Sequence, residues 1–327
     1  MMSRHENKPR ILVVLGPTAS GKSALAVELG RRFNGEVVSA DSRQVYRGLD
    51  IGSGKIMKRE MRGIPHHLLD VASPKRTFTV AQYQKLGRKA IRDILRRGKL
   101  PIICGGTGFY IDALLYDYEF PKVKPNPKLR HILERKTTNE LLTILRKLDP
   151  GRAATIDPDN KRRLVRAVEI VVETEVSIRP LPAKKSYSNV LKNIRIDDDC
   201  ILKIGIALPT ETLKGRIEKR LLKRLRQGMI REVKKLHKSG VGWKRLDSFG
   251  LEYRWVSRYV RRLNHPSTEA RGHKHRQLAK DEVIMKLKTE TWHYTKRQMT
   301  WWKRDKKIQW LDSRKRIAQT VAEFLKK

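Results

Sequence analysis

Apolar residues along the chain fall into short runs separated by stretches with helical spacing. The runs Ile11–Leu15, Glu36–Ala40 and Leu100–Cys104 have the length and composition of buried strands. Residues 81–97 precede the third run and place apolar side chains at helical spacing until Gly98. Strands that alternate with helices are typical of a parallel sheet, so the pattern predicts an α/β fold.

The pattern changes at a proline-rich junction, residues 121–127, through which a helix cannot continue. Residues 128–175 then combine helical spacing with many basic side chains, and the polar stretch 179–199 follows. These features predict a helical insertion domain over residues 121–200.

The core resumes beyond the insertion. Ile201–Leu208 has the character of a buried strand, and Glu211–Lys238 has the spacing of one long amphipathic helix. The sequence therefore predicts a core that consists of residues 1–120 and 201–327.

A phosphate-binding motif lies between the first predicted strand and the helix that follows it. The string has the form G-x-x-x-x-G-K-S, whose glycines let backbone N–H groups point at an anion beside a helix N-terminus. Lys22 can reach phosphate oxygens, and the Ser23 hydroxyl can bind Mg²⁺. The predicted phosphate-binding residues are Gly16, Pro17, Thr18, Ala19, Ser20, Gly21, Lys22 and Ser23.

Three predicted strands end in polar or glycine-rich loops. Gly16–Ser23 follows the first strand, Asp41–Gln44 the second and Gly105–Gly108 the third. Because ligands bind beyond the carboxyl ends of parallel strands, we expect these loops to form one site. The predicted fold class is therefore a parallel-sheet core like that of P-loop NTPases, with a helical insertion.

The charge balance points to a polyanionic partner. The chain of 327 residues contains 74 Lys and Arg against 34 Asp and Glu, a formal net charge of +40. Such a surplus repels itself unless an anion neutralises it, so nucleic acid is the expected partner. With only two cysteines, Cys104 and Cys200, neither a disulfide framework nor a four-cysteine zinc site is possible.

The sequence also bears on the location of the protein. Residues 1–10 are polar, and no apolar stretch reaches the length of a transmembrane helix. We therefore expect a cytoplasmic monomer that does not enter a membrane.

The last quarter of the chain interleaves basic and aromatic side chains. This composition suits RNA loops, in which bases stack on rings, although we expect any single ring to pack between helices. The string Arg271–Arg276 contains histidines but no carboxylate or cysteine, so it predicts a solvated loop rather than a metal site. The aromatic residues concerned are Tyr253, Trp255, Tyr259, Trp292, Tyr294, Trp301, Trp302 and Trp310.

Several strings, taken in order, resemble one family, the tRNA dimethylallyltransferases, which modify adenosine 37 beside the anticodon. The resemblance extends from about residue 10 to residue 312. The strings that carry it are Gly16–Ser23, Ser39–Tyr46, His66–Asp70, Gly105–Tyr110, Arg162–Arg166 and Lys296–Trp301.

The resemblance implies transfer of a dimethylallyl group from dimethylallyl diphosphate to the N6 amine of that adenine, with release of diphosphate. It implies that the phosphate loop holds the diphosphate, that Asp41 is the general base and that Thr107 belongs to the catalytic centre. The implied contacts with the tRNA anticodon stem-loop are Asp41, Ser42, Arg43, Gln44, Thr107, Arg130, Arg162, Arg163, Leu164, Val165, Arg166, Lys296, Arg297 and Gln298.

The chemistry of these residue types agrees with the implied reaction. An exocyclic adenine amine is a weak nucleophile, so a carboxylate that accepts its proton helps the reaction. The leaving diphosphate needs cations, which Lys22 and a Mg²⁺ ion on Ser23 would supply. Two arginines of the predicted long helix, Arg216 and Arg220, are the further candidates.

The chain departs from the family pattern near its C-terminus. Between Arg254 and Thr291 it is longer than usual, and we expect the added basic segment, Arg261–Lys280, to contact tRNA phosphates. Trp292 stands where the family has an arginine. The zinc finger of eukaryotic relatives is absent, which favours the bacterial type.

Two other functions are compatible with parts of the sequence. A small-molecule kinase would use the phosphate loop with Asp41 as a magnesium ligand, but it would not need a net charge of +40. A non-catalytic RNA-binding protein would not need Lys22, Ser23 and Thr107 together at one site. The sequence leaves open whether Asp41 is the base or a metal ligand, and whether ATP binds the loop.

Overall fold

The computed structural model describes residues 8–177, 191, 196–263 and 272–326, except for the side chains of residues 272–279. The chain divides into two compact units, of which the larger comprises residues 1–115 and 187–327 and the smaller residues 116–186. The insertion was predicted at residues 121–200, and both boundaries of the smaller unit lie earlier in the chain than those bounds.

A six-stranded parallel sheet forms the centre of the larger unit, in the order β3-β2-β4-β1-β5-β6. All residues of β1 and β4 are buried, which explains why these strands are uninterrupted apolar runs rather than alternating sequences. The strands are β1 (Ile11–Leu15), β2 (Gly35–Ser39), β3 (His66–His67), β4 (Leu100–Gly105), β5 (Ile201–Ile206) and β6 (Ile308–Leu311).

Helices connect the strands and cover the sheet. Leu25 of α1 and Val321 of α14 pack with strand residues such as Val14 in one apolar cluster. Along α3, the Tyr83 hydroxyl donates a hydrogen bond to the Ser39 carbonyl (2.9 Å) at the end of β2. The helices of this unit are α1 (Lys22–Arg32), α2 (Lys58–Met61), α3 (Val80–Arg96), α4 (Gly108–Leu115), α9 (Thr210–Arg226), α10 (Met229–Lys238), α11 (Trp243–Ser248), α12 (Leu251–Leu263), α13 (Gly272–Trp302) and α14 (Arg314–Lys326), with a 3₁₀ turn at Asp198–Cys200.

Two of the local predictions are wrong. The helix expected over residues 211–238 is two helices, because Gly228 has a left-handed backbone (φ 102°) that an α-helix cannot contain. The loop expected at Arg271–Arg276 is helical from Gly272 onward. The glycine of the string stands at the first position of the helix, where it interrupts nothing, and the lysine and arginine beyond it are good helix formers.

The smaller unit contains four helices in the part of it that the structure describes, and these helices have their own apolar core. Leu141 and Leu145 pack against Leu164 and Val168, all of them fully or almost fully buried. The helices are α5 (Pro127–Arg135), α6 (Thr138–Leu148), α7 (Pro150–Thr155) and α8 (Lys161–Thr174).

A buried carboxylate ties α5 to α8. Glu169 is completely buried, and its two oxygens accept hydrogen bonds from Arg130 Nε and Nη2, both at 2.7 Å. The carboxylate also accepts from Arg166 and from the backbone N–H of Asn126 (2.7 Å). Burial by itself would raise the pKa of Glu169, but the hydrogen bonds from Arg130 and Arg166 outweigh it and lower that pKa.

We predict that Glu169→Gln destabilises α8 by about 2 kcal/mol, since it replaces hydrogen bonds to a charged carboxylate with hydrogen bonds to a neutral amide. The measurement is the free energy of opening from amide hydrogen exchange in α8. Because the pKa is lowered on folding, this stabilisation is present at neutral pH and is lost as the pH falls below the ordinary glutamate value of about 4.3.

The matched control is Glu173→Gln, one turn further along α8. Glu173 is exposed and accepts one hydrogen bond, from the Asn126 side chain (2.7 Å). We expect it to change the stability of α8 by less than about 0.5 kcal/mol. Equal effects of the two substitutions would contradict a structural role for Glu169.

Candidate active site

The phosphate loop joins β1 to α1 and has cations on two sides. Lys22 folds back, and its Nζ donates to the Pro17 carbonyl (3.2 Å). From α9, Arg216 Nη1 donates to the Ser20 carbonyl (3.4 Å) and Arg220 Nη1 to Thr18 Oγ1 (3.4 Å). The structure therefore brings both predicted arginines to the loop that carries Lys22.

A third arginine, Arg224, lies one turn further along α9 and was missed by the sequence analysis. It is buried, donates to the Gly52 carbonyl (3.2 Å) and pairs with Glu252 (2.8 Å). A Cβ on Gly54 would lie 2.2 Å from Arg220 Nη2 and 1.7 Å from Arg224 Nη2, so only glycine fits there. The spacing of Arg216, Arg220 and Arg224 by four residues was a readable signal, because it places all three on one helix face.

The positive charges of this cluster oppose one another. Burial and the neighbouring Arg220 lower the pKa of Lys22 to about 8. Burial and Arg224 lower the pKa of Arg220 to about 10. Both shifts show that the site disfavours its own cations in the absence of a counterion, which is the electrostatic signature of an anion site.

The second loop presents a carboxylate. Asp41 Oδ1 accepts from the backbone N–H groups of Arg43 (2.8 Å) and Gln44 (3.3 Å), which forms a tight turn directly after β2. Among the described residues, the other oxygen, Oδ2, has no hydrogen-bond partner. One oxygen of Asp41 thus holds the turn and the other remains available to a ligand.

The third loop lies directly against the second. A Cβ on Gly105 would come within 2.1 Å of the Ala40 carbonyl oxygen, so the close approach of the two strand ends requires glycine. Beyond it, Thr107 N donates to the same carbonyl (3.1 Å), and Thr107 Oγ1 accepts from Ser42 N (3.2 Å). The second and third loops therefore meet, as predicted, and Thr107 lies beside the turn that contains Asp41.

The loop residue Gln44 is held between neighbouring segments. Its Nε2 donates to the Gly54 carbonyl (3.3 Å), and its Oε1 accepts from the Ser39 hydroxyl (3.5 Å). Residues 50–53, which precede Gly54, are held in turn by side chains of α10 and α12.

Glu232 on α10 fixes this segment. Its carboxylate accepts from the backbone N–H groups of Asp50 (3.1 Å), Ile51 (2.6 Å) and Gly52 (3.0 Å). The Tyr253 hydroxyl donates to the same carboxylate (2.8 Å) and accepts from Ser53 N (3.1 Å). No local sequence pattern predicts that Glu232 binds this segment, because its partners are backbone groups about 180 positions away.

Helix α13 contacts the loops from the other side. The Tyr294 side chain hydrogen-bonds Thr107, and burial together with the Asp41 charge raises the pKa of Tyr294 to about 12. Gln298 is 6% exposed, and its side-chain amide forms hydrogen bonds with Thr18 N in the phosphate loop and with the Gly106 carbonyl in the third loop. Lys296 and Arg297, which were predicted to contact tRNA, are exposed.

The other predicted RNA contacts lie in the smaller unit. Arg162 and Arg163 are exposed on α8. Leu164 and Val165 are buried in the apolar core of that unit, so their inclusion among the tRNA-facing side chains is wrong. Amphipathic periodicity explains the error, since a contiguous string on a helix cannot face one side.

Two further predicted RNA contacts have structural partners within that unit. The guanidinium groups of Arg130 and Arg166 both hydrogen-bond Glu169. The basic segment 261–280 lies partly outside the described residues, and its predicted contact with tRNA stays a prediction.

The residues around Ser23 limit what metal the site can hold. Ser23 is exposed in the first turn of α1 and borders a small pocket whose polar lining includes Ser39, Gln44, His66 and Cys104. Among the described residues, no three His, Cys, Asp or Glu side chains are arranged to hold a metal ion. Mg²⁺ often takes few protein ligands and completes its shell with water and substrate phosphates. The exposed Ser23 hydroxyl is the one protein ligand that the predicted Mg²⁺ ion would use here, and the magnesium site stays a prediction.

Comparison with known proteins decides the family. The sequence profile of the IPP transferase family matches residues 44–305. The chain belongs to this family. The tRNA dimethylallyltransferase of Anoxybacillus flavithermus is 38% identical over 304 residues, which are 93% of this chain and 90% of that protein. The tRNA dimethylallyltransferase 1 of Geotalea uraniireducens is 39% identical over 306 residues, or 92% of each chain.

Solved structures agree with the assignment to the IPP transferases. The full-length tRNA isopentenylpyrophosphate transferase of Bacillus halodurans is similar with a TM-score of 0.67 and 32% identity, over 98% of this chain and 97% of that one. A eukaryotic dimethylallyltransferase, crystallised acting on tRNA, gives a TM-score of 0.70 and 27% identity over 90% of this chain and 70% of its own. The predicted family and P-loop NTPase-like fold are confirmed.

In the described ranges, with their gaps at 178–190, 192–195 and 264–271, no helix is long and apolar enough to cross a membrane.

We predict that binding of inorganic diphosphate takes up a proton through Lys22. The pKa of Lys22 is about 8 in the free protein, so at pH 8 the Lys22 side chain is neutral in about half of the molecules. An anion in the loop favours the charged form and raises that pKa. Affinity should therefore fall as the pH rises above 8.

The measurement is isothermal titration calorimetry at pH 8 in two buffers with different ionisation enthalpies. Lys22→Arg is the control, because its side chain stays charged and the titration of diphosphate itself is common to both proteins. The wild type should take up about half a proton more than the control. Equal uptake by both proteins would contradict the assignment.

Proposed function

We propose that this member of the IPP transferase family transfers a dimethylallyl group from dimethylallyl diphosphate to the N6 amine of adenosine 37 in tRNA. The tRNA dimethylallyltransferases, to which it is similar over more than nine-tenths of its length, supply the reaction class. The observation that carries the proposal is the placement of a carboxylate, Asp41, beside a loop surrounded by cations. Such a site suits a reaction in which an amine loses a proton and a diphosphate leaves.

The cation cluster binds the diphosphate and stabilises it as it leaves. Lys22, Arg216 and Arg220 all reach atoms of the phosphate loop. When the C–O bond between the dimethylallyl carbon and the diphosphate breaks, the bonding electrons pass to the diphosphate oxygen. The cations that disfavour one another in the free protein are then neutralised by the leaving group.

Asp41 receives the proton that the amine loses. The adenine N6 attacks the first carbon of the dimethylallyl group, a C–N bond forms, and one N6 proton passes to Asp41 Oδ2. The other oxygen stays bound to the turn, which fixes the direction in which Oδ2 points. Thr107 contributes by holding Ser42, the residue next to Asp41.

The proposal includes Mg²⁺ at the diphosphate. Ser23 would hold the ion together with diphosphate oxygens, and the ion would offset part of their negative charge. ATP is not needed for any step of this reaction.

Basic side chains in each of the two units bind the anticodon stem-loop of the tRNA. Exposed cations at Arg162 and Arg163 on α8, and at Lys296 and Arg297 on α13, are available to phosphates. The reacting adenine must leave its stack to reach Asp41. We further propose that the protein is a monomer and acts in the cytoplasm.

The alternative of a small-molecule kinase has no support among the relatives, which are named as tRNA-modifying transferases. One experiment separates the two functions. Protein, unmodified tRNA and Mg²⁺ are mixed with either dimethylallyl diphosphate or ATP. We expect diphosphate release and an adenosine heavier by one dimethylallyl group. ADP formation without any change in the RNA would refute the transferase.

We predict that Asp41→Asn lowers kcat by about 10²–10⁴-fold, the usual effect of losing a general base. Asparagine keeps an Oδ1 that can accept from Arg43 N and Gln44 N, so the turn should persist. The affinities for tRNA and for dimethylallyl diphosphate should therefore hardly change. The measurement is kcat with both affinities across a Mg²⁺ series.

Lys22→Ala is the contrasting variant, which should impair use of dimethylallyl diphosphate and spare tRNA binding. If Asp41→Asn instead weakens diphosphate binding and regains activity at high Mg²⁺, then Asp41 is a metal ligand and not the base.

A further inference from the structure

Gln298 on α13 occupies an unusual position between two loops of the active site. Its Oε1 accepts from the backbone N–H of Thr18 in the phosphate loop (3.0 Å), and its Nε2 donates to the Gly106 carbonyl (2.7 Å). A reversed amide would set its NH₂ against an N–H and its oxygen against a carbonyl, so the partners fix its orientation. Both polar atoms of this buried side chain are therefore used inside the protein.

The surroundings leave little freedom for this amide. A Cβ on Gly106 would lie 2.4 Å from Gln298 Nε2 and 3.7 Å from Lys22 Cε. The amide thus lies against Gly106, next to the lysine of the phosphate loop. Thr18, which it holds by the backbone, is also the residue whose hydroxyl accepts from Arg220 (3.4 Å).

Two other residues on the same face of α13 contact the same region. Tyr294, one turn before Gln298, hydrogen-bonds Thr107. Trp301 lies so close to Gly108 that a Cβ there would be 2.3 Å from its Cδ1. The spacing of four and three residues puts all three side chains on one stripe. Lys296 and Arg297 lie off this stripe and are exposed.

We infer that Gln298 is a positioning residue, which fixes the phosphate loop relative to the Gly105–Gly108 loop and so sets the diphosphate relative to Asp41 and Thr107. The sequence analysis grouped Gln298 with the tRNA contacts, whereas the observed hydrogen bonds join it to the diphosphate side of the site. The inference rests on the proposed function, since it specifies how that site is kept in order.

The test uses Gln298→Met, which keeps the length of the side chain and removes both hydrogen bonds. Losing two neutral hydrogen bonds corresponds to roughly a tenfold loss of affinity when the ligand needs the ordered loop. We expect inorganic diphosphate to bind about tenfold more weakly and the KM for dimethylallyl diphosphate to rise similarly. Affinity for unmodified tRNA should stay within about twofold of the wild type.

Gln309→Met is the matched control, because the same change is made at an exposed position on β6. It should leave all three quantities unchanged. If Gln298→Met does not fold, Gln298→Asn serves instead, since it keeps a neutral amide that is too short to reach both Thr18 N and the Gly106 carbonyl. It should likewise weaken diphosphate binding and spare tRNA binding.

The opposite outcome overturns the inference. Weaker tRNA binding with unchanged diphosphate binding would return Gln298 to the RNA contacts, and no change in either would remove any positioning role. Failure of the proposed function itself looks different. In that case the wild type forms no prenylated tRNA, while diphosphate titrations of the wild type and the variants still report on loop order.

Discussion

The candidate active site depends on positively charged side chains that are buried beside the phosphate loop. Lys22 and Arg220 both have lowered pKa values, and in each the first cause is burial and the second a neighbouring arginine. A protein keeps such a cluster only if the rest of the structure fixes the side chains in place. Here Glu252 pairs with Arg224, and Gly54, which has no side chain, leaves room for the guanidinium groups of Arg220 and Arg224. A bound diphosphate would relieve a repulsion that the fold itself maintains.

The sheet supplies the second element of order, because it makes loops from distant parts of the chain coincide. Gly105 touches the Ala40 carbonyl, so the ends of β2 and β4 meet without intervening side chains. Glu232 then accepts three consecutive backbone N–H groups from residues 50–52. An acceptor-only carboxylate satisfies these donors at once, so the loop needs no regular structure of its own. Helices from the last third of the chain thereby hold loops of the first third.

Most of the sheet and the position of the three loops could be predicted from the sequence, because buried parallel strands are continuous apolar runs and their ends carry the polar residues. The phosphate-loop cations were also within reach, since Arg216 and Arg220 lie four residues apart on an amphipathic helix. Glu232, Tyr253 and Gln298 could not be assigned in this way. Each acts on backbone groups far away in sequence, and backbone groups leave no mark in the residue pattern. The error at Leu164 and Val165 has a different cause, because a contiguous string was taken as one surface although its residues lie on two faces of a helix.

Helix α13 shows how one element can serve both substrates of the proposed reaction. One stripe of the helix, Tyr294, Gln298 and Trp301, contacts the phosphate loop and the Gly105–Gly108 loop. Its exposed cations, Lys296 and Arg297, lie within the same two turns. The other face of the helix is attached by one hydrogen bond to the phosphate loop and by a second to the Gly105–Gly108 loop. Helix α13 therefore carries both the side chains that contact the two loops and the exposed cations that are proposed to bind RNA.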